Sequence, residues 1–291
     1  MLVLTQGRTD WSVILSTSSS FHQISRLLAV GARKLGLHVG ADPYSLAYRE
    51  HLSRVVAKLG IDCVLDVGSY RGDFGSQLRR NGYRGRIVSF EPVMENFQAL
   101  ENRRAGDRDW RAYRMALGAE RGHAEIRVFS GTTFHSFLEP NCYGRQRFPG
   151  KLNVERLERV MVERLDAVLD DATRSLADPR IFLKIDTQGY DLEVVRGLAT
   201  RIDEIDALQI EMAVTPIYEN MTNSFLDAME YLQKLGFGLS GVFPVTFDTD
   251  GGTSLLEVDC MMCRRHRKVR GERASPAGLR VLQQISTNSP E

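Results

Sequence analysis

Apolar and polar positions follow two rhythms along this chain, and the rhythm changes at glycines. Phe21, Ile24, Leu27, Leu28 and Leu35 recur at helical spacing, as do Leu46, Leu52, Val55, Val56 and Leu59, a run that stops at Gly60. From residue 62 strands and helices take turns, with strands predicted over 62–67, 86–91 and 111–116 and helices over 73–81 and 93–104. Residues 123–129 alternate at period two, with Ala124, Ile126 and Val128 set against Glu125 and Arg127, which predicts a further strand. The stretch 131–160, with Pro140, Gly144, Pro149 and Gly150, reads as a long irregular loop, a feature that in compact domains tends to be functional. Residues 180–186 are almost continuously apolar, the signature of a strand covered on both faces. A helix over 190–199, a strand over 207–212, a helix over 224–235 and closing strands over 237–243 and 255–263 complete the series. Residues 1–20 carry little pattern and end in a serine-rich run that suits a loop or a helix start. Such an order predicts an α/β, Rossmann-like fold: a mostly parallel seven-stranded sheet with an antiparallel edge strand and helices on both faces.

Length and composition narrow this picture only slightly. The 291 residues, 43% hydrophobic and 26% charged, suit one large domain with appendages. The expected division is a helical extension over 1–60, the main domain over 61–264 and a basic tail over 265–291. A net charge of +1 gives the whole molecule no strong attraction to nucleic acid or anionic membrane. The basic cluster from Arg264 to Arg270 reads as a solvated tail. The apolar face of 21–35 packs on its own domain in the main reading, with docking on a membrane surface as the competing one. No apolar stretch approaches the roughly 20 residues that span a bilayer. Cys63, Cys142, Cys260 and Cys263 are scattered, so a reducing cytoplasm is expected, with the inner face of the membrane as the alternative location. Cys260 and Cys263 with His266 lack a second ligand pair, and the alternation of Leu256, Val258, Cys260 and Met262 favours a strand over a zinc site.

The candidate chemistry sits at the ends of the first two strands of the series. Asp66-Val67-Gly68-Ser69-Tyr70-Arg71-Gly72 is an apolar strand breaking into a glycine turn, and one strand further on Phe90 is followed by Glu91-Pro92. Glycine lets a backbone approach a ligand, and an acid one strand over can accept both hydrogen bonds of a ribose diol. Dinucleotide sites space their glycines as G-x-G-x-x-G to hold a pyrophosphate on a helix N-terminus. Here three residues separate the two glycines, a spelling that suits a nucleoside without phosphates, S-adenosylmethionine being the common one.

Joined to the run Lys184-Ile185-Asp186-Thr187-Gln188-Gly189-Tyr190 and the residues up to Gly197, these motifs resemble the FkbM family of S-adenosylmethionine-dependent methyltransferases. The family pattern is similar to D-V-G-x-x-x-G, an acid-proline at the second strand end, and K-I-D-x-Q-G-x-E-x-x-x-L-x-G. Asp191 and Val195-Arg196 vary the last part. The resemblance covers about 62–240 and implies a class I methyltransferase fold. It also implies an O-methyltransferase acting on a sugar hydroxyl of a glycolipid or polysaccharide, or on a natural product.

On that footing Asp66, Gly68, Ser69, Tyr70, Gly72, Glu91 and Pro92 are expected at the cofactor, with Met115 and Ala116 beside its adenine and Asp186 facing its methyl group. Methyl transfer to a hydroxyl is an in-line displacement in which the oxygen loses a proton, so a base is needed. Asp186 is the first candidate, His135 in the long loop the second and Glu211 at the end of the fifth strand the third. Asp186 and Glu211 lack a third spaced ligand, and no metal is expected. The expected acceptor is a small molecule, saccharide or glycolipid rather than a specific nucleic acid. Three readings compete. An N-methyltransferase lacks its Asp/Asn-Pro-Pro-Tyr run here. An NAD-dependent oxidoreductase lacks the pyrophosphate turn. A non-catalytic nucleoside- or partner-binding module would have no use for Glu91 and Asp186.

Overall fold

The computed structural model describes residues 3–7, 10–14, 43–221, 224–249 and 252–265. The chain divides into two compact units, Met1–His51 and Leu52–Glu291. In the first, β1 (Val3–Gly7) pairs antiparallel with β2 (Asp10–Ile14), a hairpin in the stretch of little pattern that the expected helical extension over 1–60 began with. The expected helix over 21–35 and the tail beyond residue 265 lie outside the described residues. Helix α1 (Pro43–Leu59) follows the predicted periodicity, and its Leu52 and Val55 are buried.

The second unit is built on a seven-stranded sheet of β3 (Cys63–Val67), β4 (Arg86–Phe90), β5 (Trp110–Tyr113), β9 (Ile181–Ile185), β10 (Ile205–Ala213), β11 (Phe237–Phe247) and β12 (Leu255–Arg264). Their order across the sheet is β11-β12-β10-β9-β3-β4-β5. β3, β4, β5, β9 and β10 run parallel, and the antiparallel pairing is confined to the far edge, where β12 opposes both β10 and β11. All five positions of β3 and of β9 are buried, which is why their sequences are near-continuous apolar runs. Helices α2 (Asp73–Arg80), α3 (Met94–Arg104), α5 (Leu165–Ala172), α6 (Asp191–Arg196) and α7 (Phe225–Lys234) connect the strands. The largest buried cluster joins Leu65, Val67, Leu183 and Ile185 of the central strands to Leu165 and Leu169 of α5. The chain leaves β3 toward β4 on one side and returns to β9 on the other, so strand order reverses beside β3. Ligand crevices of open α/β sheets form at such a reversal, at the carboxyl ends of the strands.

Between β5 and α5 the chain builds a second sheet of β6 (Ala116–Leu117), β7 (Gly122–Phe129) and β8 (Val154–Glu163), in the order β6-β8-β7. This corrects the expected loop over 131–160, whose last residues belong to β8 and whose middle holds the short helix α4 (Cys142–Arg147), capped by the Asn141 side chain. Val154 to Leu157 are all exposed, so that part of β8 has no buried face to write an alternation into the sequence; pairing with β7 holds it instead. Helix α5 is likewise an element the expected series lacks, although Leu165, Leu169 and Ala172 bury one face at helical spacing. The segment 129–152 is tethered by Phe129, Phe148 and Leu152, which pack with Ile217, Tyr218 and Leu256. Among the described residues no helix is long and apolar enough to cross a membrane. Cys63 and Cys260 are buried free thiols inside β3 and β12.

Candidate active site

A cavity of about 410 Å³ opens at the carboxyl ends of β3, β4, β9 and β10, with the segment 132–137 along one side. That volume is within the range of small-molecule sites. Of the residues expected in the site, Gly68, Ser69, Tyr70, Glu91, Pro92, Met115, Ala116, His135, Asp186 and Glu211 line it together. Asp66 and Gly72 do not.

The turn after β3 is fixed by backbone contacts. Gly68 and Ser69 donate their amides to the Phe90 carbonyl at 3.0 and 3.1 Å, tying the β3 turn to the end of β4. Gly68 has φ +74°, and a Cβ there would lie 1.8 Å from the Asp186 carbonyl oxygen, so the glycine lets the ends of β3 and β9 meet. Gly72 (φ +80°) faces away from the cavity: a Cβ there would stand 2.8 Å from Leu100 and 3.1 Å from the Trp110 ring. Tyr70 carries φ 50° and joins its hydroxyl to Thr132 Oγ1 at 2.8 Å, linking the turn to the opposite wall.

Glu91 is the most tightly specified side chain of this half. Its Oε2 accepts the Tyr70 amide at 2.9 Å and its Oε1 the Val93 amide at 3.0 Å, and the Asn96 side chain hydrogen-bonds the same carboxylate. Burial pushes the Glu91 carboxyl up to about 8 against the stabilising Val93 and Tyr70 amides and Asn96 side chain. Asp66 lies behind the wall, fully buried. Ser89 donates to its Oδ2 at 3.3 Å and in turn receives the Trp110 indole N–H at 3.0 Å. Lys184 Nζ stands between two acids, 3.7 Å from Asp66 Oδ1 and 3.1 Å from Asp186 Oδ2. Burial alone would lower the Lys184 pKa, but Asp186 and Asp66 outweigh it and the net shift is upward. Burial also raises Asp66, with Lys184 opposing.

At the other end Asp186 and Glu211 close adjacent strands. Gln188, in a left-handed conformation at φ 53°, donates its amide to Glu211 Oε1 at 2.9 Å and reaches Asp186 Oδ1 at 3.4 Å. Tyr218 donates to Gln188 Oε1 at 3.0 Å, and the Ser136 hydroxyl donates to the Gln188 carbonyl at 2.7 Å. Burial, then the charges of Asp186 and Glu257, hold the Glu211 carboxyl well above the usual carboxylate range. Glu257 of β12 also lines this end and is raised by burial. Among the described residues no three His, Cys, Asp or Glu converge as a metal-ligand set.

Sequence reasoning did not single out Glu257, Tyr218, Thr132 or Asn96 for the site. Glu257 has a signal, since it and Asp259 are acids in a mostly apolar β12, and Asn96 follows Glu91 on α3, whereas Thr132 depends on how the inserted segment folds back. The Nδ1 of His135 accepts the Phe129 amide at 3.1 Å, and burial pushes the imidazole down to about 4.

These residues fit S-adenosylmethionine. Glu91 offers two oxygens to a ribose diol, Met115, Ala116 and Ile126 supply apolar wall, and the strand ends bearing Asp186 and Glu211 complete the same cavity.

The family described as the methyltransferase FkbM domain matches residues 66–239. No curated protein sequence matches the chain. Solved structures similar to it include an rRNA methylase from Streptococcus thermophilus, at 10% identity and TM-score 0.41, covering 79% of this chain and 100% of that one. A putative tRNA (m1A22) methyltransferase of Streptococcus pneumoniae, in complex with S-adenosyl-L-methionine, aligns at 12% identity and TM-score 0.39, over 81% of this chain and 87% of its own. The precorrin-6y C5,15-methyltransferase of Geobacter metallireducens aligns at 14% identity and TM-score 0.37, over 74% and 87%.

Proposed function

The chain belongs to the FkbM methyltransferase family, and on that premise we propose that this S-adenosylmethionine-dependent methyltransferase methylates a hydroxyl. The proposed acceptor is a sugar of a glycolipid or polysaccharide, or a natural product. The observation that carries the reading is the placing of Glu91 and Asp186 on one cavity, each at the carboxyl end of a parallel strand.

When bound, S-adenosylmethionine supplies an electrophilic methyl carbon on a positively charged sulfur. The protein's part is to hold the nucleoside, align the acceptor and take one proton. Glu91 accepts the ribose hydroxyls, and the turn 68–70 shapes the wall beside them. Asp186 is the proposed base. Lys184 engages its Oδ2, and the Gln188 amide orients Oδ1 toward the cavity. Asp186 Oδ1 would take the proton of the acceptor hydroxyl as that oxygen receives the methyl group. Glu211 and Glu257, with raised pKa values, sit beside it as hydrogen-bonding groups for neighbouring acceptor hydroxyls.

Calorimetric titration with S-adenosylmethionine and with NAD tests the cofactor: binding of the first and not the second is expected. Incubation with methyl-labelled S-adenosylmethionine and extracts of glycolipids or polysaccharides tests the acceptor, and Asp186→Asn should retain cofactor binding while transfer falls by roughly 10²–10⁴. Full transfer by the Asn variant would remove Asp186 as the base.

A further inference from the structure

His135 has one nitrogen left to offer a ligand. Its Nδ1 faces the Phe129 backbone N–H at 3.1 Å, and an amide can only donate, so Nδ1 is the unprotonated ring nitrogen. In a neutral imidazole the proton then resides on Nε2. The contact forms where β7 shifts register against β8, between Val128 and Phe129, so the histidine occupies a defined irregularity of the strand.

The segment that carries the ring is held at several points. Ser136 exchanges backbone hydrogen bonds with Arg127 at 2.9 and 3.3 Å and donates its hydroxyl to the Gln188 carbonyl, while Thr132 meets the Tyr70 hydroxyl. The ring lines the same cavity as Tyr70 and Glu91. The charged groups that act on it are Arg156, Glu95, Glu158 and Arg71, which belong to the β8 wall and to the Glu91 side of the cavity rather than to the Asp186–Glu211 end. A general base there would need a free ring lone pair, and the one lone pair of this tautomer is already taken by Phe129.

We propose that His135 is a cofactor-binding residue, presenting Nε2–H as a hydrogen-bond donor to an acceptor atom of the bound nucleoside, and that it takes no proton from the methyl acceptor. The ring nitrogens of adenine and the ribose oxygens are the acceptors such a donor would meet. The downward shift of its pKa to about 4, caused first by burial, keeps the ring neutral over the physiological range, so the donor is present without a charge that would repel a cationic cofactor.

This assignment rests on the methyltransferase reading, and two substitutions separate it from a merely structural role. In the full chain, His135→Asn keeps an acceptor near the Nδ1 position for Phe129 but has no donor at the Nε2 position. His135→Gln can place an amide N–H near Nε2. With S-adenosylhomocysteine as the calorimetric probe, the Asn variant should bind about five- to tenfold more weakly and the Gln variant within about twofold of wild type. A structural role predicts the reverse order, with Asn unaffected and Gln impaired. In the ¹⁵N-histidine-labelled wild type, the His135 Nε2–H resonance should shift and resist solvent exchange once the probe is added. Normal binding by both the wild type and the Asn variant, or a resonance indifferent to the probe, overturns the assignment alone. Failure of the wild type to bind S-adenosylhomocysteine overturns the methyltransferase reading and the assignment with it.

Discussion

Glu91 shows how a single buried acid ties binding to pH. Its carboxyl rests at about 8 because burial outweighs the Val93 and Tyr70 amides and the Asn96 side chain that stabilise its charge. Two ribose hydroxyls donating to it would favour the carboxylate, so cofactor binding and proton release are linked. Affinity for S-adenosylhomocysteine should therefore tighten as pH rises from 6 to 9, with Glu91→Gln weaker throughout and nearly flat. A wild-type profile as flat as that of the Gln variant would exclude Glu91 from the ligand. Stability runs the other way. The folded pKa lies above the ordinary carboxylate value, so the folded chain holds more protons than the unfolded one between about 4.5 and 8. Stability contributed by this group is thus lost as pH rises through that window, and Glu211 and Glu257 act in the same direction. Urea midpoints that fall from pH 5 to pH 8.5, with a smaller fall in Glu91→Gln, are the expected result. The place of Glu91 on the cavity was readable because the strand end and its spacing from the glycine turn agree. Asp66 was not readable in the same way. Its position in β3 fits either a cavity-facing or a buried side chain, and only the Ser89 and Lys184 contacts place it behind the wall.

At the scale of elements, two glycines with the same sequence signal do different work. Gly72 begins α2 against Leu100 and Trp110, so Gly72→Ala combines left-handed strain with overpacking against side chains that can yield. The expected loss is about 2–4 kcal/mol, with cofactor affinity of the folded protein preserved. Gly68→Ala meets a backbone carbonyl instead, and β3 must part from β9 to admit it. Thermal unfolding and calorimetry on both variants distinguish them: Gly68→Ala should lose binding along with stability, and equal binding by the two would contradict the proposed geometry. The parallel strands were legible because burial on both faces leaves a continuous apolar run. Of the inserted sheet β7 was legible from its alternation, but β8 was not, since much of it is exposed and its partner β7 lies across a long excursion of the chain. The cavity wall that this excursion supplies, Thr132 to Phe137, was therefore visible only as a loop containing a histidine.

In the unit Leu52–Glu291 the cavity is bounded by pieces of two sheets, joined beside it by side-chain packing such as the Phe137–Tyr190 ring contact. The central strands bring Glu91 and Asp186, and the excursion beside β7 brings His135 and Thr132. Tyr70 to Thr132, Ser136 to Gln188 and Tyr218 to the Phe134 carbonyl are among the hydrogen bonds that join the excursion to the rest of the unit. A nucleoside lying between Glu91 and His135 would add a further tie, so ligand binding should stabilise the junction more than α7 and the start of β11, whose other end reaches the cavity through Val245 and Thr246. At a free concentration one hundred times its Kd, S-adenosylhomocysteine adds about 2.7 kcal/mol to global stability by mass action. Hydrogen exchange resolves where that stabilisation is felt locally. Amides of 68–72, 93–97 and 131–137 should exchange more slowly with the ligand bound, while those of α7 and of 237–241 at the start of β11 keep their ligand-free rates under native conditions. Protection confined to 68–72 and 93–97 would mean that the cofactor touches the central sheet alone, and the excursion would then belong to the methyl acceptor.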